Sequence, residues 1–571
     1  MVGLVISLGV AYLAKVIVTS VLRLQRGFAN LGFCPGRNCL WFNPSGAAAL
    51  LLGKSFPPRG WQGHYNGRFS LYAKEGSTIL SSLLVWSATP VFWLADAEAI
   101  KTVTSDRHAF IKDLSIYEPV DIYGKSLVST EGAEWRRHLA IAAPAFSDAN
   151  YALTWKETLR VVHEWFSDEV DVNEVSGKID VKAKMKQATL HVIAAAGFGM
   201  STPWAAFQHL ARAPDIMREV STAGSIFPFH TSLDLTIKRL LPQILVPRFL
   251  FALPFRVPWI SEQLETVKLA FTSLEVHMSE LAKAARRDGV NQVEHDDGDD
   301  LGVGADLLRR LVQANDAAKA SDPSIKKTLT DGELFINMTT VIPACRAWFK
   351  KKLREETMRV WPTLDDLDSS TFKRDFDKLE YTLAFFHETL RCLPAETRLL
   401  KLCDSDTILY GTRFVPGSVI REPESSFDGA HTNVQFMRDE TSEKKFPVTV
   451  PKGSNIMLDF WAVQMNPLTW GPDVHIFRPE RFIDTDVYKW PRDGFLAFSG
   501  GARGCIGKRF ASVESVCLLA SLVRRYEVLP VEDARKFASQ EEFKRHMLTW
   551  SAGLTIGPMN VFVKLRRLDN V

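Results

Sequence analysis

FSGGARGCIGKRF, residues 498 to 510, decides the fold, because its glycines and its single cysteine fit two chemistries that belong to different architectures. A phosphate-binding loop needs G-x-x-x-x-G-K-[ST], with backbone N–H groups around the phosphates and a hydroxyl on magnesium. Setting Gly507 and Lys508 on that motif's second glycine and lysine puts Ala502 at the first glycine and Arg509 at the hydroxyl, so both tests fail. A loop that carries one thiolate to the metal of a flat macrocycle needs small neighbours and a cation for the macrocycle's carboxylates. Here Gly500, Gly501 and Gly504 permit tight turns, Cys505 is the ligand, and Arg503 is a fixed cation suited to a carboxylate. Gly507 removes the side chain that would push the following segment away.

That segment, Cys505 to Tyr526, has no proline and carries an apolar face, so it is expected to be a helix starting on the cysteine. Orphan N–H groups there would favour thiolate over thiol, and a thiolate donates electron density to haem iron and promotes O–O cleavage. With these residues in place, the stretch resembles F-x-x-G-x-R-x-C-x-G, the haem-binding signature of the cytochrome P-450 monooxygenases. Phe498, Gly501, Arg503, Cys505 and Gly507 occupy every fixed position. The resemblance implies that Cys505 is the axial ligand of haem iron, that Arg503 meets a propionate, and that Phe498 packs beside the ligand.

Two upstream stretches agree. In DKLEYTLAFFHETLRCLP, residues 377 to 394, Leu379, Leu383, Phe386 and Leu390 recur at helical spacing, and Glu388 and Arg391 share a face. An isolated E-x-x-R is as readily an exposed ion pair. The family's K-helix carries the same pattern, and Arg481 in FRPERF matches the arginine that completes its buried charge cluster. NPLTWGPDVHIFRPERF, residues 466 to 482, resembles the family's loop ahead of the haem signature. Lys401 stands where related chains place a cation toward a propionate, although a solvated lysine is the simpler reading of the residue itself.

Composition is compatible with one large, mainly helical domain bearing small β-sheets, the cytochrome P-450 fold. The 571 residues carry a net charge of +3 and are 46% hydrophobic, which gives no case for nucleic acid. The seven cysteines form no C-x-x-C pair, so neither a disulfide framework nor a zinc site is indicated. Residues 2 to 22, VGLVISLGVAYLAKVIVTSVL, match the ~20 residues that span a bilayer, interrupted only by Lys15. Arg23 and Arg26 follow and place the body in the cytosol. The expectation is a single-pass anchor over residues 1 to 26 in the endoplasmic reticulum membrane, with the catalytic domain from 27 to 571; a buried or interfacial helix is the alternative. The apolar run 240 to 260 has four prolines, so it cannot span. It is either an apolar entrance for substrate or a packed loop. The acidic stretch 291 to 300 reads as a surface loop, and 421 to 446 as a polar insertion between short strands.

Two departures from the family pattern stand out. In AEWRRHLAIAAPAF, residues 133 to 146, Trp135 fits the helix that contacts a propionate, but Leu139 replaces the basic residue expected four positions on. The oxygen-activating A-G-x-[DE]-T is also missing. LTDGELFINMTTVIPACRAWFKKKLREE, residues 329 to 356, has a proline at 343, so a helix from Asp331 would be only roughly 18 Å long. Both ends resemble the family while the middle is gone. Three readings fit: an exon-boundary product, a degenerate protein, or a rearranged site in which Thr339 or Thr340 is a weak hydroxyl. The intact flanks favour the first.

The resemblance therefore implies a membrane-anchored haem-thiolate monooxygenase, similar to fungal microsomal enzymes of secondary metabolism. Its cofactor is haem b, iron protoporphyrin IX. Electrons come from NADPH through a separate NADPH-cytochrome P-450 reductase, and O2 and an apolar, terpenoid-like small molecule are the substrates. A peroxide-rearranging enzyme of the same fold and a catalytically silent haem-binding protein are the alternatives.

Overall fold

The computed structural model describes residues 2–44, 68–117, 121, 124–170, 175–205, 226–229, 231–233, 235–236, 258–291, 307–321, 350–415, 443–531, 550–552, 556–558 and 562–568. Thr339 and Thr340, the acidic stretch from 292, most of the apolar run 240 to 260, and the polar insertion up to 442 lie outside the described residues. The chain divides into two units. A sheet unit comprises Met1–Ile116, Thr389–Arg478 and Asp484–Cys505; a helical unit comprises Tyr117–Glu388, Pro479–Ile483 and Ile506–Val571.

The sheet unit is built on six strands in the order β1-β2-β3-β9-β6-β4. These are β1 (Asn38–Leu40), β2 (Ile79–Leu84), β3 (Thr89–Leu94), β4 (Phe110–Lys112), β6 (Arg398–Cys403) and β9 (Asn455–Asp459). Both faces of β2 are buried, so ILSSLL reads as a nearly continuous run rather than an alternation. Its serines are satisfied locally: the Trp93 indole donates to the Ser82 hydroxyl at 3.1 Å, and Ser81 donates to the Pro35 carbonyl at 3.0 Å. A separate antiparallel pair joins β7 (Thr407–Arg413) to β8 (Lys444–Val450), the strands that flank the polar insertion. Three helices belong here: α1 (Val2–Asn30), α2 (Ser70–Glu75) and α3 (Ala97–Ser105). Asp96 caps α3 by accepting from the Glu98 and Ala99 amides.

Among the described residues no helix is long and apolar enough to cross a membrane. The span expected over residues 2 to 22 thus has no structural support. Side chains of α1 are described from Val10 onward, and from there the helix carries Lys15, Arg23 and Arg26.

The helical unit contains α4 (Gly132–Ala142), α5 (Asp148–Trp165), α6 (Val181–Val192), α7 (Pro258–Asn291), α8 (Leu307–Ser321), α9 (Lys350–Val360) and α11 (Lys508–Arg525). Between α9 and α11 in sequence runs α10 (Glu380–Cys392), whose last four residues belong to the sheet unit. A small sheet pairs β10 (Tyr526–Pro530) with β13 (Phe562–Arg567) and β13 with β5 (Ile179–Asp180); β11 (Trp550–Ala552) pairs with β12 (Ile556–Pro558). One core gathers Trp155, Trp165, Trp204 and Trp361 against Val513, Val516, Cys517 and Ala520 of α11, which recur at helical spacing. A second packs Leu274, Met278 and Ala282 of α7 against Leu308, Leu311 and Val312 of α8. Three of these four indoles keep their polar ends paired, Trp155 donating to Ser370, Trp204 to Glu169 and Trp361 to Asp375, while the Trp165 nitrogen finds no acceptor.

One buried acid departs from this rule. Glu514 on α11 is 3% exposed, and neither carboxyl oxygen finds a hydrogen-bond donor within normal geometry. Burial pushes it up to about 8, with a small opposing contribution from the Thr189 hydroxyl. The unfolded chain releases this proton near the usual carboxylate value while the folded chain holds it, so stability falls as pH rises from about 4.5 through about 8. Glu514→Gln should flatten that fall, which is on the order of several kcal/mol at about 1.4 kcal/mol per tenfold separation in acidity. Thermal midpoints of both proteins between pH 5 and 9 test it, and parallel curves would refute the assignment.

Candidate functional site

Helix α10 organises the site from its first turn. Glu356 of α9 is buried and accepts from the Tyr381 amide at 2.7 Å, the Thr382 amide at 2.8 Å and the Thr382 hydroxyl at 2.7 Å. A carboxylate there satisfies orphan N–H groups and complements the helix dipole. Further along, Glu388 and Arg481 meet within the helical unit, Nε to Oε1 at 3.2 Å, with both side chains fully buried. The exposed-ion-pair reading of Glu388 is thereby excluded.

Arg391, one turn on and in the sheet unit, is also fully buried. Its guanidinium donates to the Gln464 carbonyl and the Val474 carbonyl, each at 2.8 Å, and lies 5.5 Å from the Trp470 ring centroid. Gln464 extends the connection. Its side-chain amide donates to the Leu390 and Arg391 carbonyls at 3.0 Å, and its side-chain oxygen accepts from the Leu496 amide at 2.9 Å. Leu496 opens the cysteine loop, so Gln464 ties that loop to the end of α10.

The loop then closes on itself. The Ser499 amide donates to the Leu496 carbonyl at 2.9 Å, the Gly504 amide to the Gly501 carbonyl at 3.1 Å, and the Cys505 amide to the Phe498 carbonyl at 2.8 Å. Gly501 has φ +64°, and a Cβ there would stand 2.4 Å from the Thr104 carbonyl oxygen at the end of α3. Phe498 is half-buried and packs edge-on against Phe495, with ring centroids 6.4 Å apart. Cys505 itself is exposed. Helix α11 begins at Lys508 with Gly507 as its N-cap, so the cysteine precedes the helix instead of starting it, contrary to the expectation. The Ile506-Gly507 turn accounts for the delay.

Lys401 is not a solvated lysine. It lies on β6 between two paired strands, opposite Ile456 of β9 and Lys112 of β4, and is only 4% exposed. Burial holds its amine below the usual lysine range. Burial, and then the Arg503 and Lys401 charges, push Lys112 down to about 7. Lys112 thus senses the charges of both its strand partner Lys401 and Arg503 of the cysteine loop. Trp135 is buried on α4 in the helical unit. Of the basic residues after it, Arg137 approaches Glu134 at 4.0 Å and His138 at 3.2 Å, while Arg136 is exposed.

These residues fit a haem. A loop whose glycine cannot accept a side chain presents an exposed thiol, and its arginine acts electrostatically on Lys112, the strand partner of Lys401. The sequence is matched by the family model Cytochrome P-450 over residues 44–335 and 433–552. Cytochrome P-450 monooxygenase 124 of Postia placenta is 27% identical over 544 residues, covering 91% of this chain and 92% of that protein. Cytochrome P-450 monooxygenase 205 of the same fungus is 24% identical, covering 94% of each. Cytochrome P-450 monooxygenase prx9 of Penicillium rubens is 23% identical, covering 78% of this chain and 75% of its own. The fold and the cysteine loop define a haem-thiolate oxidoreductase. The chain belongs to the cytochrome P-450 family, whose members bind haem and take electrons from a reductase to act as monooxygenases.

Reading the motifs alone missed Gln464 and Lys112. Gln464 precedes the recognised loop by two residues and has no motif position, and Lys112 is revealed only by the β4–β6 register.

Gly501→Ala should destabilise the loop twice, through left-handed strain of about 1–3 kcal/mol and through the clash with Thr104. Gly132 supplies the control, because it has φ +58° but nothing within 4 Å of a Cβ. Gly132→Ala should therefore show the strain alone, and thermal unfolding with haem content should place Gly501→Ala well below it. Equal losses would mean that the close approach does not hold the loop.

Proposed function

We propose that this chain is a membrane-associated haem-thiolate monooxygenase that inserts one atom of O2 into an apolar small molecule of fungal secondary metabolism. Electrons originate in NADPH and arrive through a separate NADPH-cytochrome P-450 reductase. The observation that carries this reading is Cys505, exposed at the end of a loop pinned by Gln464, by its own backbone bonds and by the Gly501–Thr104 approach.

Bound haem supplies the oxygen-activating chemistry. The protein supplies position and electrostatics. Cys505 Sγ would hold the iron of a bound haem, Arg503 and Lys401 would hold its carboxylates, and the glycines at 500, 501 and 504 would leave room for it to approach. Phe498, held edge-on by Phe495, would pack beside the ligand, as the family resemblance implies.

Fungal relatives named monooxygenases support the secondary-metabolite setting. The fungal resemblance and the apolar run 240 to 260 are what support a terpenoid-like substrate. Membrane association in the endoplasmic reticulum, with the catalytic part in the cytosol, is supported by α1. That helix leaves Val10, Tyr12, Leu13, Ile17 and Val18 exposed ahead of Arg23 and Arg26. The missing A-G-x-[DE]-T favours one second reading, a peroxide-rearranging enzyme of the same fold, which would turn over peroxide without a reductase.

The ferrous carbon monoxide difference spectrum of the full chain in microsomes tests the main reading. The expected result is a Soret band at the thiolate position that Cys505→Ala abolishes. A band at the neutral-ligand position in the unsubstituted protein, or no haem, would overturn it.

A further inference from the structure

We infer that Gln464 is a positioning residue for the thiolate, whose side-chain amide fixes the start of the cysteine loop against the end of α10 and so governs whether Cys505 stays in place as a metal ligand. This rests on the reading that the Cys505 loop holds haem, and it gives a role in that site to a residue outside every recognised motif.

The groups involved all lie in the sheet unit. A helix leaves its last four carbonyls without intrahelical partners, and at the end of α10 they belong to the buried residues Leu390, Arg391 and Cys392, where an unmet acceptor is costly. Side chains from the turn after β9 meet three of them. Gln464 Nε2 donates to the Leu390 and Arg391 carbonyls at 3.0 Å, and the Trp461 indole donates to the Cys392 carbonyl at 2.8 Å. Both side chains stand on one short helical turn, Phe460–Gln464, which Asp459 caps by accepting from the Ala462 amide at 3.1 Å. The Gln464 main chain is held as well, since its carbonyl accepts from Arg391. With the side-chain N–H groups directed at two carbonyls, the oxygen is left to face the Leu496 amide, which it meets at 2.9 Å.

The two tasks together demand an amide. A carboxylate has no hydrogen for the two carbonyls, and an apolar chain of similar length leaves two acceptors and one donor unmet. Leu496 therefore cannot shift without opening the closure of α10. From Leu496 the restraint passes toward the thiol through the loop's own bonds, the Ser499 amide to the Leu496 carbonyl and the Cys505 amide to the Phe498 carbonyl. The Gly501 approach to Thr104 fixes the middle of the loop, and Gln464 fixes its beginning. Cys505 is exposed, so its position depends on the path of the backbone more than on packing around the sulfur.

Gln464→Met in the full-length protein is close in size and removes all three side-chain bonds. After haem uptake, the thiolate band of the ferrous carbon monoxide difference spectrum should convert to the neutral-ligand band about tenfold faster than in the unsubstituted protein, the scale set by leaving a buried polar group unmet. Ser82→Ala on β2, which strips the Trp93 indole of its acceptor, controls for a general loss of stability in the same unit and should convert at the unsubstituted rate. Equal conversion rates in the two variants, or an unchanged rate in Gln464→Met, would overturn the assignment while leaving the haem reading intact. Hydrogen exchange of the unsubstituted, haem-free protein tests the same restraint without a variant. The Leu496 amide should exchange as slowly as the amides of β9, a strand paired on both sides, and rapid exchange there would also overturn the assignment. An unsubstituted protein that takes up no haem would overturn the haem reading with it.

Discussion

A fully buried guanidinium, Arg391, is the constraint around which the sheet unit is arranged. It cannot be neutralised by losing a proton, so the chain must bring acceptors to it, and it does so with main-chain carbonyls at Gln464 and Val474. Those carbonyls are available because the segment after β9 has short helical turns and loops in place of a ladder that would consume them. An irregular stretch thereby acquires one defined path. That path delivers Gln464 to both the end of α10 and the start of the cysteine loop. Loss of the guanidinium would strand several buried acceptors at once, a far larger penalty than loss of one surface ion pair.

The parts of this architecture legible in the sequence are those whose physics is local. The cysteine loop could be read because each of its residues answers to the backbone or to a cofactor within a few positions. The glutamate and arginines of α10 and the following loop could be read because helical spacing and a short motif carry them. What could not be read depends on register and burial. Lys401 looks like a solvated lysine in a string, but it lies on a strand with paired neighbours on both sides. Lys112 has no spacing signal, since its significance comes from a partner 289 positions away, 401 less 112. The start of α11 was misplaced by three residues because glycine at the N-cap and a preceding turn leave no side-chain cap to mark it. The propionate contact expected from Trp135 is an expectation from resemblance, with Trp135 and Cys505 in different units.

The protein tolerates several local costs in these units. Glu514 is kept from solvent without a donor, and Lys112 and Lys401 face each other across a ladder. Such groups lower the stability of the chain on its own. At Glu514 burial favours the neutral acid, so the cost is that of an unpaired polar group and not of a charge.

The β7–β8 ladder has a practical meaning for anyone handling this protein. Its seven residue pairs run from Thr407↔Val450 to Arg413↔Lys444, so the intervening chain leaves and re-enters at neighbouring points. Closure of such a connection grows only logarithmically with length, about 0.6 kcal/mol for each doubling. The position between residues 413 and 444 is consequently a natural port for an inserted epitope or fluorescent label, reached without touching either terminus or the cysteine loop.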